Sequence, residues 1–179
     1  GMQAGSTSVI GSSALLKQMD FPAPVLPVKT ILVSLLPQIV GLIAVVLYMA
    51  IRFQHMPVSL GLLPAILLSQ VLMTIGLGWL FGAVTVFFRD LPELLTTLFL
   101  INMYILPIIY PPGAVPSVFV HAMALNPFAH IIYCYQDALI FGEIRHPISW
   151  AVQPVLSVCV FLLGYQFFKR VKHVFGDLI

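Results

Sequence analysis

Apolar residues run through this chain in blocks long enough to cross a lipid bilayer, separated by short polar breaks. A hydrocarbon core of ~30 Å takes about 20 helical residues, and the pattern predicts four transmembrane helices, over 28–51, 62–88, 92–110 and 148–168. Polar side chains interrupt them sparingly: Gln38 and Pro37 in the first, Ser69, Gln70 and Thr74 in the second, Asn102 in the third. An amide at such a depth faces other helices or a cavity, because lipid offers it no partner. The second block also carries Gly76, Gly78 and Gly82. Gly78 and Gly82 have the GxxxG spacing that lets two helix backbones approach closely. They do not make a dinucleotide fingerprint, since Phe81 stands where a third glycine belongs and no strand precedes them.

Between the third and last blocks the pattern breaks differently. From Tyr104 to Gly142 the chain is apolar enough to enter a bilayer, yet Pro107, Pro111, Pro112, Pro116 and Pro127 interrupt any continuous helix. Proline removes a backbone donor and clashes with the preceding turn, so two short helices meeting at Asn126-Pro127 are expected rather than one rod. Irregular backbone at membrane depth is tolerated where protein or a water-filled cavity satisfies its polar groups, which fits a re-entrant helical hairpin over 111–142. A kinked fifth span over 118–141 is the alternative, and charge decides between them. With four spans and the start inside, Lys17, Lys29, Arg89, Lys169, Arg170 and Lys172 lie inside and Arg52 and Arg145 outside. Five spans would put four on each side, against the tendency of lysine and arginine to stay cytoplasmic.

Composition agrees with this all-α polytopic reading. The 179 residues are 60% hydrophobic and 8% charged, with a mean hydropathy of +1.06, whereas soluble domains are roughly 25% charged. The net charge of +2 resides mostly near the C-terminus; it gives nucleic-acid binding no support and suits a basic tail at the membrane surface. Cys134 and Cys159 have no CxxC or Cys/His spacing and read as packing residues. His121 and His130 belong to no ligand pattern, so no metal site is expected. The first twenty residues lack a basic region followed by an apolar run, hence no cleavable signal peptide, and the small polar opening after Gly1-Met2 reads as the middle of a longer chain.

Local chemistry is concentrated in the connections. Residues 12–20 can form a short helix starting at Ser12 or Ser13, which ends at Phe21 because Pro22 follows. Pro22, Pro24 and Pro27 then stiffen the link into the first span, as a force-bearing lever or a plain linker would. At 88–95, FRDLPELL predicts a capping-box-like helix start, with Asp90 as the cap, Glu93 three residues on and Pro92 in the first turn. Arg89 can pair with Asp90 or reach lipid headgroups. Tyr104, Tyr110, Tyr133 and Tyr135 fit either an aromatic belt or flat rings facing a sliding sugar chain. Asp137, costly at membrane depth by about 2.5–3.5 kcal/mol, is expected near water or a partner and is a candidate for a pathway mouth, with Asn126 close behind it in sequence.

Taken together, LLKQMDFPAPVLP at 15–27, FFRDLPELL at 87–95, LPIIYPPGAVP at 106–116, NPFAHII at 126–132 and the tail FFKRVKHVFGDLI at 167–179 resemble the membrane subunit of ABC-2 type exporters. The resemblance is strongest to the permeases that export O-antigen, capsular and teichoic-type polysaccharides. It implies that the chain is the C-terminal two-thirds of a six-span permease in the bacterial inner membrane. It further implies that the 12–22 region, with Leu15, Leu16, Lys17, Asp20, Phe21 and Pro22, touches an ABC ATPase. Arg89, Asp90 and Glu93 would lie at the inner turn, and Tyr104, Tyr110, Asn126, Tyr133, Tyr135 and Asp137 would be pathway candidates. The implied partners are the ATPase, a second permease copy, membrane lipids and a lipid-linked glycan.

No GxxxxGK[ST] phosphate loop occurs in the chain, so ATP and magnesium would be held by the partner subunit and no cofactor by this one. The nearest rival is an ABC-2 exporter of a drug or lipid, which would share the fold. A membrane-embedded enzyme would cluster its polar catalytic residues at one interface, whereas here the acidic residues are scattered. An ATP-independent channel would lack an ATPase partner altogether.

Overall fold

A computed structural model describes residue 6 and residues 24–53, 58–106, 108, 123 and 125–171. Those residues are helical, with no strand among them. Helices α1 (Val25–Ser34) and α2 (Leu36–Phe53) form the first apolar rod, and a 3₁₀ turn (Val58–Leu62) leads into α3 (Leu63–Phe87). After α4 (Leu91–Ile105), α5 (Pro127–Gln136) and a π-helical turn (Asp137–Phe141) precede α6 (Pro147–Val171). Among the described residues three helices are long and apolar enough to cross a membrane: Val25–Arg52, Ser59–Phe87 and Pro147–Val171.

The separation of α1 from α2 follows from Pro37. Its missing N–H would have bonded to the carbonyl of Val33 four residues back. The backbone N–H of Leu35 turns to Leu32 and Val33 instead, which tightens the chain at that point. Proline also ends α4. Leu106 is extended (φ −72°, ψ 148°), as a residue before proline prefers, and Pro107 follows it in the sequence. At 15 residues, α4 spans ~22 Å, shorter than the third span read from the apolar pattern.

The capping box expected at 90–93 does not form. Asp90 occupies the N-cap position in a helical conformation (φ −85°, ψ −5°) and its carboxylate makes no capping bond. A capping side chain reaches the second or third helical N–H from an extended backbone; Asp90 is not extended, and of those two positions Pro92 has no N–H, leaving Glu93 alone. Backbone turns substitute, with Leu91 N–H donating to Phe88 O at 3.1 Å and Leu94 N–H to Asp90 O at 3.2 Å. Arg89, Asp90 and Glu93 are exposed, and the ion pairs among the described residues are elsewhere. Asn126, by contrast, is a working cap for α5: it is extended (φ −84°, ψ 116°), accepts from Phe128 N–H at 3.0 Å, and Pro127 takes the first helical position, where its missing N–H costs nothing.

Packing fixes the direction of each helix. The first rod runs antiparallel to α3: Trp79 Nε1 donates to Pro24 O at 2.8 Å near one end, and Gln38 meets Gln70 midway. Toward the other end, Leu42 and Val46 pack on the cluster of Leu63, Ile66, Cys134 and Ala138. Helix α6 runs parallel to α3, with Gln153 against Met73, Gly164 against Gly76, and Trp79 in tilted ring contact with Phe161 (5.0 Å) and Tyr165 (5.2 Å). A Cβ on Gly76 would lie 2.5 Å from Val160 O, and one on Gly164 would overlap the Gly76 carbonyl, so each glycine is the condition for backbone contact at the other. Gly78 and Gly82 are buried on the same helix.

Because α3 and α6 enter from the same side, the chain between them must return across the bundle, and α4 starts that return. This arrangement gathers Lys29, Arg89, Lys169 and Arg170 at one end, with Arg52 and Arg145 at the other. Excess basic charge tends to lie on the cytoplasmic side; in the orientation expected from the sequence, α3 and α6 both run inward.

Candidate functional site

Near the middle of the first rod, three polar side chains from three helices close on one another. Gln38 of α2 and Gln70 of α3 exchange amide hydrogen bonds, Gln38 Nε2 to Gln70 Oε1 at 2.8 Å and Gln70 Nε2 to Gln38 Oε1 at 3.0 Å. The hydroxyl of Tyr135 on α5 donates to Gln70 Oε1 at 2.7 Å. Each amide thus gains in the membrane the partners that lipid withholds. Nearby, Asn126 Nδ2 donates to Asn102 Oδ1 at 2.6 Å, tying the start of α5 to α4.

A partly open cavity of about 390 Å³ lies against these groups. Gln38, Gln70, Thr74 and Asn102 supply its polar wall together with Ser34. Its apolar wall is aliphatic apart from Phe99 and Phe128, whose rings meet edge to face at 6.0 Å. Among the described residues no charged side chain lines it. Ser34 and Thr74 give their protons to backbone carbonyls within their own helices, Ile31 O at 2.7 Å and Gln70 O at 2.8 Å, so toward the cavity their oxygens can only accept. Among the described residues no acceptor engages the amide N–H groups of Asn102. The cavity therefore offers both donors and acceptors, all neutral.

Asp137 sits in a second polar cluster, at the outer turn between α5 and α6. Its carboxylate is fully buried. Oδ2 accepts from the backbone N–H of Arg145 (3.1 Å) and His146 (2.9 Å) and from Trp150 Nε1 (3.0 Å), and Oδ1 lies 2.8 Å from His146 Nδ1. Four donors from three residues replace the hydration that burial removed. Gly142, at φ 71°, makes the left-handed turn and donates to Asp137 O at 3.0 Å. Tyr133 stacks on His146 at 4.4 Å, and Arg145 lies over Phe141 at 4.1 Å while pairing with Glu143.

The residues singled out from sequence are thus only partly brought together. Asn126 and Tyr135 join the amide groups around the cavity without lining it. Tyr133 and Asp137 belong to the outer turn, and Tyr104 is exposed on α4. Leu15, Leu16, Lys17, Asp20, Phe21, Pro22 and Tyr110 lie outside the described residues, as does the first half of the expected hairpin. The cavity's own Gln38, Gln70, Thr74 and Asn102 were absent from that set, although amides and hydroxyls inside apolar blocks are the pattern that marks such a wall.

The described residues thus form a helical bundle with membrane-length apolar helices and a neutral polar cavity between them. Residues 2–140 match the family of ABC-2 type transporters, and the chain belongs to that family. Among its relatives is an O-antigen export system permease protein, RfbA, of Klebsiella pneumoniae, 23% identical over 96% of this chain and 66% of its own length. The RfbA permease of Myxococcus xanthus is 27% identical over 98% of this chain and 68% of its own length. The chain thus spans about two-thirds of these relatives.

Proposed function

We propose that this chain is part of the permease subunit of an ATP-driven exporter that carries a lipid-linked polysaccharide of the O-antigen, capsule or teichoic type outward across the bacterial inner membrane. The observation that carries the reading is the similarity to O-antigen export permeases along nearly the whole chain. The neutral polar cavity, set among apolar helices, is compatible with a cargo of uncharged hydroxylated rings.

In this reading α4 is the core of a fourth span and α5 the rising arm of an outer re-entrant hairpin. Two features support the second assignment: α5 begins beside Asn102, well inside the bundle, and climbs to the outer turn at Asp137. A separate ABC subunit binds ATP and magnesium. Its closure pushes on residues 12–22, and the push reaches the bundle where Trp79 holds Pro24. A second copy of the permease completes the path, and this subunit performs no chemistry on its cargo.

The test is purification of the full-length parent from its native membrane, with identification of the chains that accompany it, alongside the surface glycan of cells lacking it. A P-loop ATPase at near-equal stoichiometry and loss of the surface polymer are expected. Reproducible absence of the ATPase overturns the transporter mechanism. An ATPase with unchanged surface glycan moves the cargo to a drug or lipid.

A further inference from the structure

We infer that the cavity between α2, α3, α4 and α5 is a binding site within a single protomer for one neutral sugar ring. This assignment rests on the export reading above and adds to it a place where the cargo pauses. Charge is the first argument. A phosphate or ammonium group held at this depth would need a counter-charge, and among the described residues no charged side chain lines the cavity. This wall favours an uncharged group over the phosphate end of a lipid-linked cargo.

Hydrogen bonding is the second. The amide N–H groups of Asn102 and the remaining N–H of Gln70 can donate, while Ser34 and Thr74 can only accept. A lipid tail would leave every one of these groups unmet. A pyranose, carrying hydroxyls that both donate and accept, can meet them on one edge. Its opposite, C–H-rich face finds the Phe99–Phe128 pair across the cavity. At about 390 Å³ the volume falls in the ~300–1,000 Å³ range of small-ligand sites, enough for a ring-sized group and too small for a coiled polymer.

The experiment uses the full-length permease in lipid nanodiscs and two photoreactive probes, an octyl β-glucoside with a diazirine beside the sugar and the same chain bearing phosphocholine. Adducts from the glucoside are expected on the segments 99–108 and 128–132, reduced at least about tenfold by Asn102→Leu. Met103→Trp, which fills the cavity from its wall without touching the amides, should do the same if the first variant fails to fold. Equal labelling by both probes would show a lipid-tail site and overturn the assignment, as would glucoside labelling that neither variant lowers. Surface-glycan export by the unaltered protein is scored separately. Export without cavity labelling sinks this site and spares the exporter; labelling by the glucoside alone without export keeps the sugar site and sinks its role in export.

Discussion

Alanine at position 164 should destabilise this bundle, although alanine is the better helix former. Replacing an exposed helical glycine gains about 1 kcal/mol from propensity alone. At Gly164 the new methyl would overlap the Gly76 carbonyl, and at Gly76 it would meet Val160 O at 2.5 Å. Carbon atoms rest at ~3.5 Å or more, so the helices must part by roughly 1 Å. Backbone cannot swing aside as a side chain does. A separation of that size forfeits a quarter to a half of the dispersion attraction along the seam, and overpacking of this kind costs about 1–3 kcal/mol.

The assay is thermal loss of the monodisperse full-length protein in detergent, comparing Gly164→Ala and Gly76→Ala with Gly41→Ala. Nothing lies within 4 Å of a Cβ at Gly41, so that variant should melt at or above the parent temperature, whereas the other two should melt several degrees below it. Their double variant should lose less than the sum, because both report on one contact. A Gly164→Ala protein as stable as Gly41→Ala would refute the backbone seam between α3 and α6.

Asp137→Asn can keep an oxygen for the three N–H groups on Oδ2 but presents an N–H to His146 Nδ1, which must change tautomer to accept it; losing the charge-assisted bonds should cost about 1–3 kcal/mol, and limited proteolysis between Phe141 and His146 should rise accordingly. Trp150→Phe removes only one of those bonds, and its melting point should fall by less than that of Asp137→Asn. Asn126→Ala deletes both the cap of α5 and the bond to Asn102, so about 1–3 kcal/mol should be lost, readable as faster hydrogen exchange at Phe128 and Ala129. Trp79→Phe keeps the ring contacts but frees Pro24; ATPase activity in the assembled exporter should become less responsive to cargo while melting changes by ~1 kcal/mol.

Much of this architecture was legible because bilayer crossing leaves a strong, long-range mark. The spans beginning near Val25, Ser59 and Pro147 are apolar over a length no soluble surface helix needs, and Asn126-Pro127 announced the start of α5 by local chemistry alone. Asp90 shows the opposite case, in which a capping pattern was present but the backbone at Asp90 is helical rather than extended, so the cap does not form. Gly78 and Gly82 had the conspicuous spacing, yet the close approach described here is between Gly76 and Gly164, 88 positions apart in sequence. Single-helix periodicity carries no information about which glycine on another helix faces it. The cost of burying Asp137 predicts water or a partner for it, and the structure supplies partners; nothing local reveals that these are Arg145, His146 and Trp150 folding back over it.

The break that Pro37 imposes at Leu35 divides the first rod at a telling height. Below it, α1 is bound to α3 through Trp79 and the cluster of Ile31, Ile75 and Phe168, and α3 is locked to α6 by the glycine seam. Above it, α2 is held at its first turn by the Gln38–Gln70 pair. A lateral displacement at the inner end would therefore move a rigid block and collect its strain at one joint. The amide pair sits one turn beyond that joint, on the wall of the cavity and bonded from behind by Tyr135, so a change in the tilt between α1 and α2 would be registered first as a change in which of these three groups bond to each other.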